Sequence, residues 1–221
     1  MLNVTGFLSE RGKTMKESRN HSFISALFLI LIIILAACGG GGSGNTTPQA
    51  GSLDTTFNTN GKVTTPVGSG SRAYAIAIQT DGKIVAAGNA GNGTNTDFAL
   101  ARYNKNGSLD TTFDTDGIVT TPIGSGNNGA YAIAIQTDGK IVVAGNAYNG
   151  TNTDFALARY NTDGSSDRTF DTDGKVTTPI GSDDDFAHAI AIQTDGKIVV
   201  AGDAYNDTNS DFALARYTFS L

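Results

Sequence analysis

The chain repeats itself three times, and this periodicity constrains its fold more than any other feature. A motif with the common core AIAIQTDGKIV recurs at 73–85, 130–142 and 187–199. Aspartates at equivalent positions mark a period of 56 and then 57 residues, namely Asp54, Asp110 and Asp167. A period of this length is typical of a supersecondary unit that stacks on its neighbours. We divide the folded part of the chain into repeats at 51–106, 107–163 and 164–221.

The N-terminal segment has the pattern of an export signal. Basic residues, whether counted from Met1 or from Met15, precede an apolar run at 23–35 that is short for a membrane span. Small residues follow, which predicts a signal peptide over 1–37. The sequence Leu-Ala-Ala-Cys ends at Cys38 and resembles the bacterial lipobox. This resemblance implies that Cys38 carries the lipid, such as palmitate, and becomes the first residue of a mature lipoprotein.

Residues 38–50 are predicted to form a flexible tether between this lipid and the folded domain. The segment is rich in Gly, Ser and Thr and has no apolar periodicity. Cys38 is the only cysteine in the chain, so no internal disulfide can form. We therefore expect a protein anchored in a bacterial cell envelope. Gly39 differs from the Asp that retains lipoproteins at the inner membrane, which favours the outer membrane in a two-membrane host.

The composition of the folded part indicates an all-β, acidic domain. Beyond residue 50 the chain has 19 Asp and no Glu, and the whole chain has a net charge of −6. Asp, Asn, Gly and Thr favour turns, whereas the good helix formers Glu and Met are missing there. An acidic domain with no basic patch is a poor nucleic-acid binder, so we expect no nucleic-acid partner.

Each repeat contains four strand signals, which in the first repeat fall at 61–66, 73–79, 83–88 and 97–103. In the second segment Tyr74, Ile76 and Ile78 alternate with alanines, which predicts a strand buried on both faces with alanines sharing one of them. Asp81-Gly82 then predicts a tight hairpin, because glycine supplies the positive φ of such a turn.

A four-stranded antiparallel unit that is buried on both faces and repeated in tandem is a β-propeller blade. The pattern GSLDTTF…GKVTT…AIAIQTDGKIVVAG…DFALARYN resembles the delta-60 repeat of bacterial envelope proteins. The resemblance covers 51–221 and implies an all-β, propeller-like array of three blades. It implies no particular activity, ligand or cofactor.

Two Asp-x-Asp-Gly segments are the only candidate metal site, with calcium as the cation. Closely spaced carboxylates before a glycine form half of a calcium-binding loop. The third acidic ligand and a downstream Glu are missing, and ordinary turns explain the same residues. We therefore expect folding without metal and keep calcium as an alternative, with Asp114, Asp116, Asp171 and Asp173 as ligands.

The repeats differ too little to indicate a catalytic site. His188, the only histidine beyond residue 50, replaces a tyrosine of the other copies, and Asp183, Asp184 and Asp185 predict a solvated loop. The sequence favours a non-catalytic binding or scaffolding domain that meets an unidentified protein or glycan. The alternative is a propeller enzyme, a glycan hydrolase or lyase, with its site in the third repeat.

Three blades are fewer than the roughly 4–8 that close a propeller. The first repeat has a net charge of +2 and the third a net charge of −6. A positive first blade can meet a negative last blade, which predicts a homo-oligomer, a dimer of six blades, that closes the ring. The alternative is an incomplete array that seals itself.

Overall fold

The structure is a computed structural model that describes residues 48–218. Its secondary structure consists of eleven antiparallel β-strands, and the described residues contain no helix. The strands are β1 Ser69–Ile78, β2 Ile84–Gly91, β3 Thr96–Tyr103, β4 Ile118–Thr121, β5 Asn128–Ile135, β6 Ile141–Tyr148, β7 Thr153–Tyr160, β8 Lys175–Thr178, β9 Asp185–Ile192, β10 Ile198–Tyr205 and β11 Ser210–Tyr217. They form sheets of four, four and three strands, which confirms the prediction of an all-β array of three blades.

Each four-stranded sheet takes its outer strand from the following repeat. Strand β4 belongs to the second repeat but pairs with β3 of the first, with Leu100 opposite Val119. Strand β8 pairs with β7 in the same register, with Leu157 opposite Val176. The prediction of a strand at 61–66 within the first blade is therefore wrong. In the described structure this segment forms no strand, because its position is that of the outer strand of a preceding blade.

The Asp-Gly hairpins form as predicted. The Gln79 amide donates a hydrogen bond to the Lys83 carbonyl at 2.8 Å, and the Gly82 amide donates to the Gln79 carbonyl at 2.8 Å. Gly82 has a φ of 82°, a conformation that costs glycine little and other residues more. The same bonds close the hairpins at Gly139 and Gly196.

The inner strand of each blade contains a β-bulge, which the alternating sequence did not reveal. In β1, Ala73 pairs with Gly88 and Ala75 pairs with Ala87, so Tyr74 between them has no partner. The extra residue shifts the alternation, because one added residue reverses the faces of all those that follow. The prediction that the alanines share a face is wrong. In the second blade Ala130 and Ala132 lie in different core clusters.

The core lies between the blades as two apolar seams. In the first seam Phe98 and Leu100 of the first blade pack in one cluster with Ile141 and Val143 of the second. The second seam repeats this arrangement with four equivalent residues, Phe155, Leu157, Ile198 and Val200. Burying one such side chain contributes about 1.5–3 kcal/mol. Strand β1 is mostly exposed, so the prediction of burial on both faces fails for it because no blade covers its outer face.

A buried ion cluster joins each repeat to the next. Asp110 Oδ2 lies 2.7 Å from Arg102 Nε and 2.9 Å from Lys83 Nζ. The Arg102 guanidinium also lies 4.4 Å from the ring centre of Phe113, which is completely buried. Burial acts to raise the pKa of Asp110, but hydrogen bonds from Lys83 and Thr112 and the charge of Arg102 outweigh it and hold that pKa well below its usual range.

The predicted signal peptide, Cys38 and most of the tether lie outside the described residues. Between residues 48 and 218 the structure has no helix that is long and apolar enough to cross a membrane.

Candidate ligand-binding site

The three bulged residues stand next to one another along the inner strands, and we call them the bulge row. They are Tyr74, Tyr131 and His188. The rings of Tyr74 and Tyr131 have centroids 5.0 Å apart, and those of Tyr131 and His188 are 6.4 Å apart. A bulge re-aims a side chain out of the alternating pattern of a strand. Tyr74 is 45% exposed and the His188 side chain is 58% exposed, so the row presents aromatic surface to solvent.

A glycine is required opposite each bulge. A Cβ on Gly145 would lie 1.9 Å from the carbonyl oxygen of Gly129, and one on Gly88 would lie 1.8 Å from that of Arg72. Neither glycine has a positive φ, so the close backbone approach explains its presence. The sequence Ala-Gly, followed by a polar residue, therefore encodes the bulge in all three repeats and positions the row.

Polar residues that follow these glycines line the row. They are Asn89, Asn146 and Asp203. The side-chain oxygens of Asn89 and Asn146 are buried and accept no hydrogen bond within the described part of the chain. Both residues line a cleft of about 260 Å³ together with Tyr131 and Thr96. A buried amide oxygen without a partner costs about 1–3 kcal/mol, so these groups are available to a ligand or to water.

The third blade departs from this pattern. His188 Nε2 lies 2.7 Å from Asp203 Oδ1, where the other blades have a tyrosine and an asparagine. The ring of Phe186 stacks on that of His188 with centroids 6.5 Å apart and an interplanar angle of 11°. One end of the row therefore has two tyrosine phenols with neighbouring asparagine amides. The other end has an imidazole and a carboxylate.

The residues of the bulge row differ in their burial. Burial raises the pKa of Tyr131, and the neighbouring Tyr74 raises it further, so the Tyr131 phenol stays neutral over the physiological range. A neutral phenol can both donate and accept a hydrogen bond. The tyrosine end of the row therefore suits polar, uncharged groups.

The aspartate run that leads into β9 and includes its first residue is structural, and its prediction as a solvated loop is wrong for Asp185. This residue is completely buried, and its carboxylate accepts hydrogen bonds from the amides of Ile180 at 2.7 Å and Gly181 at 3.0 Å. Asp184 is exposed but accepts a hydrogen bond from the Thr153 amide at 2.7 Å. The run thus ties the third blade to the second.

The calcium candidates lie in two equivalent turns, one near the start of the second repeat and one near the start of the third. Asp116 accepts a hydrogen bond from the Ile118 amide at 2.9 Å, and Asp173 accepts one from the Lys175 amide at 3.0 Å. Burial and the charges of Asp116 and Asp163 raise the pKa of Asp114. No cluster of three or more acidic, histidine or cysteine side chains suited to a metal occurs among residues 48–218. Folding without metal stays the prediction, with calcium binding by Asp114, Asp116, Asp171 and Asp173 as its alternative.

The sequence pointed to His188 but not to the site around it. The bulge row was hidden because Tyr74 fits an alternating strand, and the amides were hidden inside apolar runs. One signal was readable: a single polar residue after glycine, Asn89, Asn146 or Asp203, interrupts an otherwise apolar strand at the same position of each repeat.

Three segments of the chain, residues 79–113, 136–170 and 193–218, match a family described as a domain of unknown function (DUF5122) with a beta-propeller fold. The three matched segments recur with the period of the repeats. The match supports the assignment of the three sheets as propeller blades. The finer resemblance to the delta-60 repeat stays a prediction, as does the lipoprotein assignment. No protein of curated function matches the chain.

The solved structures that match the chain are distant from it in both sequence and structure. A fucose lectin from Kordia zhangzhouensis, in complex with methyl-fucoside, is 12% identical with a TM-score of 0.39, over 66% of this chain and 97% of the lectin. An endo-arabinase from Bacteroides thetaiotaomicron VPI-5482 is 13% identical with a TM-score of 0.39, over 66% of this chain and 55% of that chain. A protein of unknown function from Bacteroides caccae is 12% identical with a TM-score of 0.35, over 69% and 63%.

Proposed function

We propose that this protein is a lipid-anchored component of a bacterial cell envelope, whose propeller domain binds a glycan at the bulge row without chemical conversion. The single observation that carries the proposal is the row of adjacent, at least partly exposed rings of Tyr74, Tyr131 and His188 beside a cleft with unpartnered amide oxygens. Concave sites with aromatic walls and a few convergent polar groups are typical ligand sites.

The chemistry of the row suits a sugar better than a charged ligand. Aromatic rings pack against the C–H faces of a pyranose, and amides and phenols exchange hydrogen bonds with its hydroxyl groups. Asn89 and Asn146 each offer both a donor and an acceptor, and their side-chain oxygens accept no hydrogen bond in the described structure. A ligand hydroxyl that reaches them would remove the cost of an unpaired buried group.

Binding of glycans tests this proposal, with two tyrosine variants as a matched pair. The full chain, purified in detergent, is titrated with neutral oligosaccharides and with peptidoglycan fragments by isothermal calorimetry. We expect Tyr131→Ala to abolish binding and Tyr148→Ala to leave it unchanged, since Tyr148 is exposed but lies outside the row. Equal binding by both variants would place the ligand elsewhere. Absence of binding to any of these sugars would refute a glycan ligand.

A second function is favoured by one observation, the pairing of His188 with Asp203 at 2.7 Å. An imidazole oriented by a carboxylate is the arrangement of a general base, so the third blade could serve a glycan hydrolase or lyase. Incubation of the chain with the bound sugar separates the two functions. Release of product that is lost in His188→Ala, with sugar binding retained, would establish the enzyme.

The lipid anchor rests on the Leu-Ala-Ala-Cys motif at Cys38. Fractionation of the host cells tests it directly. We expect Cys38→Ser to remain as an unprocessed precursor or to leave the membrane fraction. A Cys38→Ser protein that fractionates with membranes at the mature mass would contradict lipidation.

A further inference from the structure

The third blade has an open edge that the other two blades do not have. Strands β3 and β7 each pair with an outer strand from the following repeat, whereas β11 has no such partner among the described residues. Phe212 is 98% exposed and Leu214 is 68% exposed on this blade. Their equivalents in the first two blades are completely or almost completely buried, namely Phe98, Leu100, Phe155 and Leu157. An apolar strand edge of this kind favours association.

The segment 62–65 has the sequence of the missing strand. Its residues Lys-Val-Thr-Thr are identical to β8 and differ from β4 by one residue. In the structure it lies against the first blade, where the Tyr103 hydroxyl donates a hydrogen bond to Thr65 Oγ1 at 2.7 Å. The outer strands β4 and β8 receive the same bond from the blade that follows them, from Tyr160 to Thr121 at 2.7 Å and from Tyr217 to Thr178 at 3.0 Å. The segment therefore sits where the outer strand of a preceding blade belongs.

The two halves of one ion cluster are also separated. Asp54 occupies the position of Asp110 and Asp167 in its repeat, but it is exposed and its carboxylate accepts hydrogen bonds only from Thr56 in the described structure. The opposite half is Lys197 and Arg216, at the positions that Lys83 and Arg102 hold around Asp110. Arg216 is exposed as well. A contact between these ends would build a third copy of the cluster.

We propose that two copies of this chain close a six-bladed ring in which segment 62–65 of each copy becomes the fourth strand of the partner's third blade. The register follows the internal pairs, so Val63 lies opposite Leu214, as Val119 lies opposite Leu100. Asp54 then enters the partner's cluster of Lys197 and Arg216. The positive charge of the first repeat faces the negative charge of the third, which supports a head-to-tail contact.

A second copy is the occupant that the geometry favours. Propellers close with roughly 4–8 blades, and six is the only multiple of three within that range. Each seam of the ring joins the first blade of one copy to the third blade of the other, and the two seams are related by a two-fold axis. The ring also lengthens the bulge row, because it brings Tyr74 of one copy next to His188 of the other. The proposal of a six-bladed ring does not depend on glycan binding.

Cross-linking between two tagged full-length chains tests the register. One chain carries Val63→Cys and the other Leu214→Cys; both are expressed together and treated in the cell envelope with a short bis-maleimide. We expect a product that carries both tags, several-fold above the wild-type chain, whose only cysteine is Cys38. Both positions are partly or fully exposed in one chain, so neither substitution disturbs its core.

Three controls make the result decisive. Leu100→Cys with Val119→Cys in one chain has the same pairing inside a blade and should give an internal link and no two-tag product. Thr64→Cys replaces Val63→Cys in the second control, and its side chain points to the opposite face, so its yield should drop to background. Leu214→Asp in the third should halve the mass of the detergent-solubilised protein in light scattering. A strict monomer, or equal yields from positions 63 and 64, overturns the ring.

Discussion

Arg102 Nε and Asp110 Oδ2 lie 2.7 Å apart in a buried contact that joins the first repeat to the second. Arg159 and Asp167 form the same contact at 2.7 Å one repeat later. Each pair lies next to a buried phenylalanine and a lysine, so charge, ring and aliphatic packing reinforce one another. The contact is therefore a structural lock between repeats.

Neutralising the lock should destabilise the domain. Asp110→Asn keeps the acceptor for Thr112 but leaves Arg102 without its counter-charge, and breaking a buried ion pair costs about 3 kcal/mol or more. Chemical denaturation followed by tyrosine fluorescence measures the loss. Asp116→Asn is the control, because this exposed carboxylate accepts only a backbone amide and its change should stay within ~0.5 kcal/mol. Equal stability of the two variants would show that the lock contributes nothing.

The lock should also make the stability of the domain depend on pH. The folded pKa values of Asp110 and Asp167 are lowered below the unfolded value of ~3.9, so the stabilisation is complete above about pH 5 and is lost as the pH falls through the unfolded pKa towards the folded pKa values. We expect a flat Tm between neutral pH and about pH 5, and a steep fall below about pH 4. In Asp110→Asn the fall should be shallower. A Tm that rises on acidification would contradict the assignment.

Substitution of the glycine opposite each bulge should destabilise the domain. A Cβ at Gly145 would meet the Gly129 carbonyl oxygen at 1.9 Å, so Gly145→Ala must push two strands apart or abolish the bulge. Overpacking of this kind costs about 1–3 kcal/mol, and the tyrosine fluorescence should change because Tyr131 moves. Gly126→Ala is a milder comparison, since its Cβ would meet the side chain of Tyr148. Unchanged stability and spectrum in Gly145→Ala would show that the bulge is not needed.

The stabilisation that each blade-linking tyrosine contributes should increase with its burial. Tyr160 is completely buried and donates to Thr121, so Tyr160→Phe leaves a hydroxyl acceptor unpaired and should cost about 1–2 kcal/mol. Tyr103→Phe removes the equivalent bond to Thr65 in a partly exposed place and should cost less in a single chain. If the six-bladed ring forms, the two costs should become similar at high protein concentration. Thermal melts at two concentrations compare them.

Calcium should have little effect on folding. The turns that hold Asp114 and Asp171 have positive φ values of 46° at both residues, and the first repeat adopts the same conformation with Asn58, which has no charge to offer a cation. A ligand present at 100 times its Kd would add about 2.7 kcal/mol to the folded state. Melting in EDTA and in millimolar calcium should agree within a few degrees. A large upward shift with calcium would make Asp114, Asp116, Asp171 and Asp173 ligands.

Much of the fold could be read from local chemistry. The Asp-Gly turns specify the hairpins and the repeated period specifies the three blades, and both are present in the structure, whereas the alternation of apolar residues is interrupted by the bulges. The outer strand could not be assigned to its blade, because segment 61–66 has the composition of a strand whichever sheet it joins. Only the register of Val119 against Leu100 shows that pairing crosses the repeat boundary.

The site was less predictable than the fold. A bulge depends on a glycine in the neighbouring strand, so no window around Tyr74 alone can reveal it. The partnership of His188 with Asp203 joins two strands and is invisible until both are placed. A residue that looks like a minor variation of a repeat can therefore belong to a polar pair that only the assembled blade creates.

The outer strand of each complete blade comes from the next repeat, and this has a consequence for how such chains grow. A recombination event that duplicates one repeat inserts three strands of a new blade together with the strand its neighbour requires. The inserted unit also brings the aspartate that meets the arginine before it. The number of blades can therefore change by unequal crossing-over without the evolution of a new interface. Because each complete blade shares a strand with the next repeat, an inserted unit cannot form a separate domain.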